Sequence, residues 1–288
     1  MARQRRILAE GLTYHVTARG TGRMNIFLDA VDRRRFLALL ATVVAKHELA
    51  CHAYCLMANH FHLVVTTTRA NLSDAIQHLN GRYAERWNRR HGRVGHLFQG
   101  RFGAQVVQDG RYFLTVCRYV AMNPVRAGLV SAPERWPWSS FRATAGMSPP
   151  PPFLCRAVVL AQFGGSDAEA AERFVTFVRE GPDDDGAITT ARILGDEGFR
   201  MAVASDTSAS KECPAIDRLA GLPLPALLAG AVSRRDRAAA IARAHRLGHR
   251  QVHIARALGV HYTTVSRVIR ATEGTDRAES DEERCDPD

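Results

Sequence analysis

The chain has 288 residues, enough for one large or two modest domains, and its 46% apolar content supplies a real core. No apolar run reaches the roughly 18 residues of a membrane span, and no secretory signal is read at the basic N-terminus, so a cytoplasmic, nucleoid-associated bacterial protein is expected. The formal net charge is +10, concentrated in residues 1–145 with 21 Lys+Arg against 8 Asp+Glu, which favours a polyanion such as nucleic acid over a merely solvated arginine-rich surface.

Alternation predicts a first strand over residues 13–19. Residues 29–47 carry Phe36, Leu37, Leu40, Val43 and Val44 at helical spacing. A second strand over 49–57, a turn at Ala58-Asn59 and a third strand over 60–66 follow. Asn71 or Ser73 is placed to cap a helix running to about Asn88. A fourth strand covers 102–107. Asp109 is placed to cap a helix over 111–122, ended by Asn123-Pro124. The order β-α-β-β-α-β, then a helix, is that of a ferredoxin-like split βαβ domain within an α+β chain.

Pro149 to Pro152 mark the strongest break, because four prolines suit neither helix nor sheet. The expected division is a catalytic domain over 1–146, a proline-rich linker and helical middle region over 147–215, a helical module over 216–272 and an acidic disordered tail over 273–288. Within the middle region, residues 174–179 and 193–199 read as helical. In the module, helices over 233–247, 251–258 and 263–271 place Ile254, Ala255, Leu258, Val260, Val265 and Ile269 inward, as in a helix-turn-helix. The C-terminal region is therefore expected to be all-helical.

The six cysteines are scattered, and Cys51 and Cys55 lack a second pair at zinc spacing, so buried thiols are expected in a reducing compartment. His60 and His62 are a different case. A strand puts residues i and i+2 on one face, with Cα atoms roughly 7 Å apart from the strand rise. Two imidazoles so placed can share a divalent cation, although His-x-His alone is a common chance pattern. Tyr119 and Asn123, four apart, share a helix face. A tyrosine oxygen is a competent nucleophile for phosphoryl transfer and leaves a covalent intermediate. A surface position on an amphipathic helix is the plainer reading of Tyr119 taken alone.

The run from Tyr54 through Ala58-Asn59-His60-Phe61-His62 to Val65 resembles the signature strand of single-tyrosine HUH transposases, where HUH denotes His-hydrophobic-His. The run from Arg118-Tyr119 through Asn123-Pro124-Val125-Arg126 to Val130 is similar to the nucleophile helix of that family. Residues 95–102, 14–20 and 32–36 match further blocks, in order. The resemblance covers roughly residues 8–145 and is nearest to the REP-associated tyrosine transposases. It implies metal ligation by His60 and His62, a 5′-phosphotyrosine on Tyr119, and Asn123 helping to hold Mg²⁺ or Mn²⁺. It also implies single-stranded DNA near a hairpin as substrate, with a homodimer possible in small relatives.

Arg82, Arg86, Arg89, Arg90, Arg93 and Arg101, interleaved with Tyr83, Trp87 and Phe98, are candidates to follow a phosphate backbone. A solvated helix face with a core-facing Tyr83 and Trp87 is the alternative. In the C-terminal module Thr263, Thr264, Ser266 and Arg267 are expected to face DNA. Two other functions compete with the transposase: a non-catalytic DNA-binding regulator or hairpin binder, and a nicking replication initiator with the same chemistry.

Overall fold

The computed structural model describes residues 6–181, 188, 191–206 and, further on, 237–238, 240–241, 244–245, 254, 258, 264–265 and 268–269. The chain divides into two compact units, residues 1–219 and 220–288.

The first unit is built on strands β1 (Thr13–Arg19), β2 (Leu49–Leu56), β3 (His60–Thr67) and β4 (Gly103–Val107), with helices α1 (Ala30–Lys46), α2 (Leu72–His91) and α3 (Arg111–Arg126). Short helices α4 (Phe141–Thr144) and α5 (Arg156–Leu160) precede α6 (Asp167–Glu180), strand β5 (Ile193–Leu194) and α7 (Glu197–Asp206). The sheet order is β2-β3-β1-β4-β5. The pairs β1·β3, β1·β4 and β2·β3 are antiparallel, and β5 joins β4 in parallel. The first four strands and first two helices thus form the split βαβ pattern read from the sequence.

Strand pleating separates the two sheet faces. Tyr14, Val16, Phe61, Leu63 and Val65 point to the layer of α1 and α2 and are buried. There Phe36 meets Phe61, Tyr83 and Phe27 at ring separations of 4.8, 5.1 and 5.3 Å. The Tyr83 hydroxyl donates to the Ile26 carbonyl at 2.6 Å, so this buried phenol is satisfied. Asp29 starts α1 by accepting from the Val31 and Asp32 amides at 2.8 and 2.9 Å. Gly92, at φ 60°, ends α2. The opposite face, with His15, Thr17, Arg19, His60 and His62, is the one α3 approaches.

Three local expectations differ from the structure. Gly110, not Asp109, precedes α3. The helix passes through Pro124 to Arg126 and stops at Gly128, φ 66°. Proline sits here in the last turn, where the one hydrogen bond it removes is followed by a left-handed glycine stop. Third, Ile193–Leu194 is a strand, so the region after the prolines is not all-helical. The outer edge of β4 selects it: the Val106 and Gln108 amides donate to the Arg192 and Leu194 carbonyls at 2.9 and 2.7 Å.

The segment after the four prolines packs back on the first unit. Leu154 bridges Cys51, and the Cys155 amide donates to the Cys51 carbonyl at 2.7 Å. Helix α6 begins with a Ser166/Glu169 capping box. Its end is tied to α3 by buried Arg118, whose Nε donates to the Val178 carbonyl at 3.0 Å and whose other nitrogen reaches the Gly181 carbonyl. Arg118→Met is expected to cost about 2–3 kcal/mol, because hydrogen bonds from a charged donor to buried carbonyls are lost. An unchanged denaturant midpoint would show that this tie contributes nothing.

In the second unit Ile241, Ala244, Ile254, Val265 and Ile269 are buried, and Thr264 is helical and exposed. Of the other residues expected on its inner face, Leu258 is half-buried, and Ala255 and Val260 lie outside the described residues. Thr263, Ser266 and Arg267 lie outside them too, as does the acidic tail.

Candidate active site

His60 and His62 stand on β3 opposite Arg19 and Thr17 of β1, and His15 lies two residues further along β1. The His60 and His62 rings are 5.0 Å apart, and the His15 and His62 rings 5.2 Å apart. Tyr119 of α3 presents its ring edge-on to both His62, at 5.6 Å, and His15, at 5.7 Å. The Arg126 guanidinium lies 5.2 Å from the centre of the Tyr119 ring. These groups open on a cavity of about 520 Å³ that Arg19, Arg101 and Arg192 also line. No carboxylate is among its lining residues, so the described walls are cationic or neutral, a setting that suits a phosphate.

Burial controls the charge of the imidazoles. It pushes His15 down to about 4, against the opposing effect of its hydrogen bond to Gln105. Burial, with Arg19 adding, takes His60 to about 4. His62 falls well below its ordinary value through burial and then through His15, His60 and Arg19. Neutral imidazoles are the form that ligates metal. The buried His62 Nε2 has no hydrogen-bond partner. An orphaned lone pair beside a second imidazole fits a divalent cation, with the remaining positions left to oxygen ligands. Among the described residues no group of three or more His, Cys, Asp or Glu side chains forms a ready cage.

The same burial gives a pH prediction. His15 and His52 both lie buried with values near 4 against 6.5 for an open imidazole. Between those values the unfolded chain takes up protons that the folded rings refuse. Stability is therefore full above about pH 6.5 and falls as pH drops towards 4, by about 3 kcal/mol per ring. Urea midpoints at about pH 7 and about pH 5 check the sign; equal midpoints would contradict it.

Asn123 follows Tyr119 by one turn, and its Nδ2 donates to the Tyr119 carbonyl at 3.0 Å. It is not among the residues lining the cavity. Of the six candidate DNA-contacting arginines between residues 82 and 101, Arg101 lines the cavity. The others belong to α2 and its C-terminal end, in the layer across the sheet. There Arg82 and Arg89 pair with Glu85, and Arg90 pairs with Asp29 and Asp32. Arg93 lies over Trp87. Arg86, Arg89 and Arg90 share a second concavity with Arg35. Tyr83 and Trp87 are buried and unavailable for stacking on bases. Cys51, Cys55 and Cys117 are free buried thiols.

The sequence reading did not single out His15, Gln105, Ile188, Ala191 or Arg192, all of which line the cavity. His15 carried a signal, since Thr13, His15, Thr17 and Arg19 form the polar half of an otherwise apolar strand. Ile188, Ala191 and Arg192 carried none, because only folding brings them to the cavity.

Residues 9–123 match the family model described as "Transposase IS200 like". This segment is similar to IS200-like transposases. It holds His15, His60, His62, Gln105 and Tyr119. Residues 231–278 match a homeodomain-like model, a helix-turn-helix type of DNA-binding domain. No curated protein matches the chain. Among solved structures, a REP-associated tyrosine transposase bound to a REP hairpin is 20% identical, covering 52% of this chain and 89% of its own, with a TM-score of 0.45. A chain described as a candidate transposase from Deinococcus radiodurans is also 20% identical, covering 38% and 88%, with a TM-score of 0.30. Ile188, Ala191 and Arg192, which line the cavity, and Ile193 and Leu194, which extend the sheet, lie beyond the matched segment.

Proposed function

We propose that this protein is a transposase that cuts and rejoins single-stranded DNA at hairpin-containing sites through a 5′-phosphotyrosine on Tyr119. The observation that carries the reading is the convergence of Tyr119, His60 and His62 on one cationic cavity. The Tyr119 hydroxyl oxygen attacks the scissile phosphorus, the bond from phosphorus to the 3′ oxygen breaks, and the proton lost from tyrosine ends on the released 3′ hydroxyl. Attack by a second 3′ hydroxyl on the phosphotyrosine reverses the step and rejoins DNA. No nucleotide triphosphate is consumed, because the ester bond is conserved.

His60 and His62 would hold the divalent cation, with Mn²⁺ tolerated beside Mg²⁺ because two ligands are nitrogen. The bound cation would neutralise charge on the phosphate and assist departure of the 3′ oxygen. Asn123 is proposed as a further oxygen ligand, a role that requires its side chain, which donates to the Tyr119 carbonyl, to turn to the cavity. Arg19, Arg101 and Arg192 hold the strand by its phosphates, and Arg82, Arg86, Arg89, Arg90 and Arg93 offer a separate track on the α2 layer.

On this reading residues 1–146 form the catalytic domain, completed by the middle region over 147–215. The module over 216–272 selects duplex DNA beside the cut through Thr263, Thr264, Ser266 and Arg267. The test is a mass measurement. Incubation with Mn²⁺ and a hairpin-bearing single strand should add the mass of the 5′-phosphorylated downstream fragment to the peptide containing Tyr119. Cleavage without that adduct would sink the tyrosine route.

A further inference from the structure

Each proposed metal-binding histidine has its second ring nitrogen engaged, and both networks end on a side-chain amide with only one workable orientation. His60 Nδ1 lies 2.7 Å from Asn59 Oδ1. Asn59 Nδ2 donates to the Arg23 carbonyl at 3.1 Å. A carbonyl only accepts, so the amide nitrogen must face Arg23 and the amide oxygen must face His60. His60 Nδ1 therefore carries the proton, and its Nε2 keeps the lone pair.

The second network is longer. Gln105 Nε2 donates to the Ile188 carbonyl at 2.7 Å and also to the Ala191 carbonyl. Its Oε1 therefore faces His15 Nδ1, at 2.8 Å, and accepts a proton from it. A neutral His15 is then an acceptor at Nε2, which lies 2.9 Å from His62 Nδ1. His62 must donate there, which leaves the lone pair on Nε2, the buried atom without a partner.

We propose that Asn59, and the pair Gln105 and His15, are positioning residues that fix His60 and His62 as Nδ1-protonated tautomers, so that both Nε2 lone pairs are set for a cation before it arrives. Free imidazole prefers the other tautomer, so the arrangement costs free energy that the two amide networks supply. Outer-shell partners of this kind fix ring orientation and ligand basicity in metal sites generally. The second network also gives Ile188 and Ala191 a role: their carbonyls orient Gln105. The inference rests on the proposed function for its metal, but not on Tyr119 as nucleophile.

The experiment uses the full chain labelled with ¹⁵N-histidine, stripped of metal and free of DNA, at mildly alkaline pH. Long-range proton–nitrogen correlation spectra should show the Nδ1-protonated pattern for both His60 and His62. An Nε2-protonated pattern for either overturns the proposal, and no variant is needed to see it. Asn59→Ala should shift His60 alone towards the Nε2-protonated form. Gln105→Leu should do so for His62. Mn²⁺ binding, read from the free-ion resonance, should weaken about 10- to 100-fold in Asn59→Ala and Gln105→Leu. Unchanged tautomers in those two variants would also overturn it. Finding the other tautomer in the wild-type protein would not contradict an observed Tyr119 adduct, and a missing adduct would not change the tautomers observed, so the two failures are distinguishable.

Discussion

Tyr119→Phe should abolish DNA cleavage and the covalent adduct while leaving hairpin binding close to wild type. The substitution removes one oxygen. The ring keeps its edge-on packing against His15 and His62 and its contact with Arg126, so neither the fold nor the shape of the cavity has reason to change. Loss of a covalent nucleophile costs on the order of 10⁴- to 10⁶-fold in turnover. Tyr112 is an internal control. It lies on the same helix but outside the cavity, with its hydroxyl accepting from Arg111 at 2.8 Å. Tyr112→Phe should therefore cleave normally. Cutting of an end-labelled hairpin strand by the Tyr119→Phe protein would mean that water or another residue attacks the phosphorus, and the phosphotyrosine route would fall.

Much of this arrangement was legible in the residues, for a definite reason. The split βαβ order follows from alternation in 13–19 and 60–66 and from helical spacing in 29–47, which are local patterns. The shared face of His60 and His62 follows from strand pleating alone. What local pattern did not carry was contact between distant segments. Ile193 and Leu194 read as part of a helix because nothing near them reports the open edge of β4 that captures them. His15 was visible as a polar residue in a strand. Its hydrogen bond to His62 depends on the register that pairs Thr17 with His62. Pro124 misled in the opposite direction. The rule that proline ends a helix holds in mid-helix, and its cost is smaller in a final turn that a left-handed glycine is about to close.

The α2 arginines illustrate a further limit of charge reading. Six arginines within 20 residues imply a continuous basic track. In the fold Asp29 and Asp32 draw in Arg90, and Glu85 draws in both Arg82 and Arg89. The buried carboxylate of Asp32, which also accepts from the Leu28 amide and meets His91, shows that part of this charge serves the packing of α1 on α2. Arg101, outside that layer, is the one of the six that reaches the cavity.

His60→Ala should remove metal-dependent cleavage by more than about 100-fold, beyond what loss of an outer-shell partner costs in metal sites. His60 is the better position to test than His62, because it is half-buried, whereas truncating His62 also leaves His15 Nε2 without its partner inside the protein. Cleavage rate measured against Mn²⁺ concentration is the readout; a rate and metal dependence equal to wild type would remove the cation from the scheme. The same variant decides how the site is assembled. His62 and Tyr119 of one chain already stand 5.6 Å apart, ring to ring. A single chain therefore brings the proposed nucleophile and the proposed ligands together, and mixing His60→Ala with Tyr119→Phe protein should restore no cleavage. Restoration in the mixture would require Tyr119 to come from a second copy, with α3 displaced from the sheet face it occupies here.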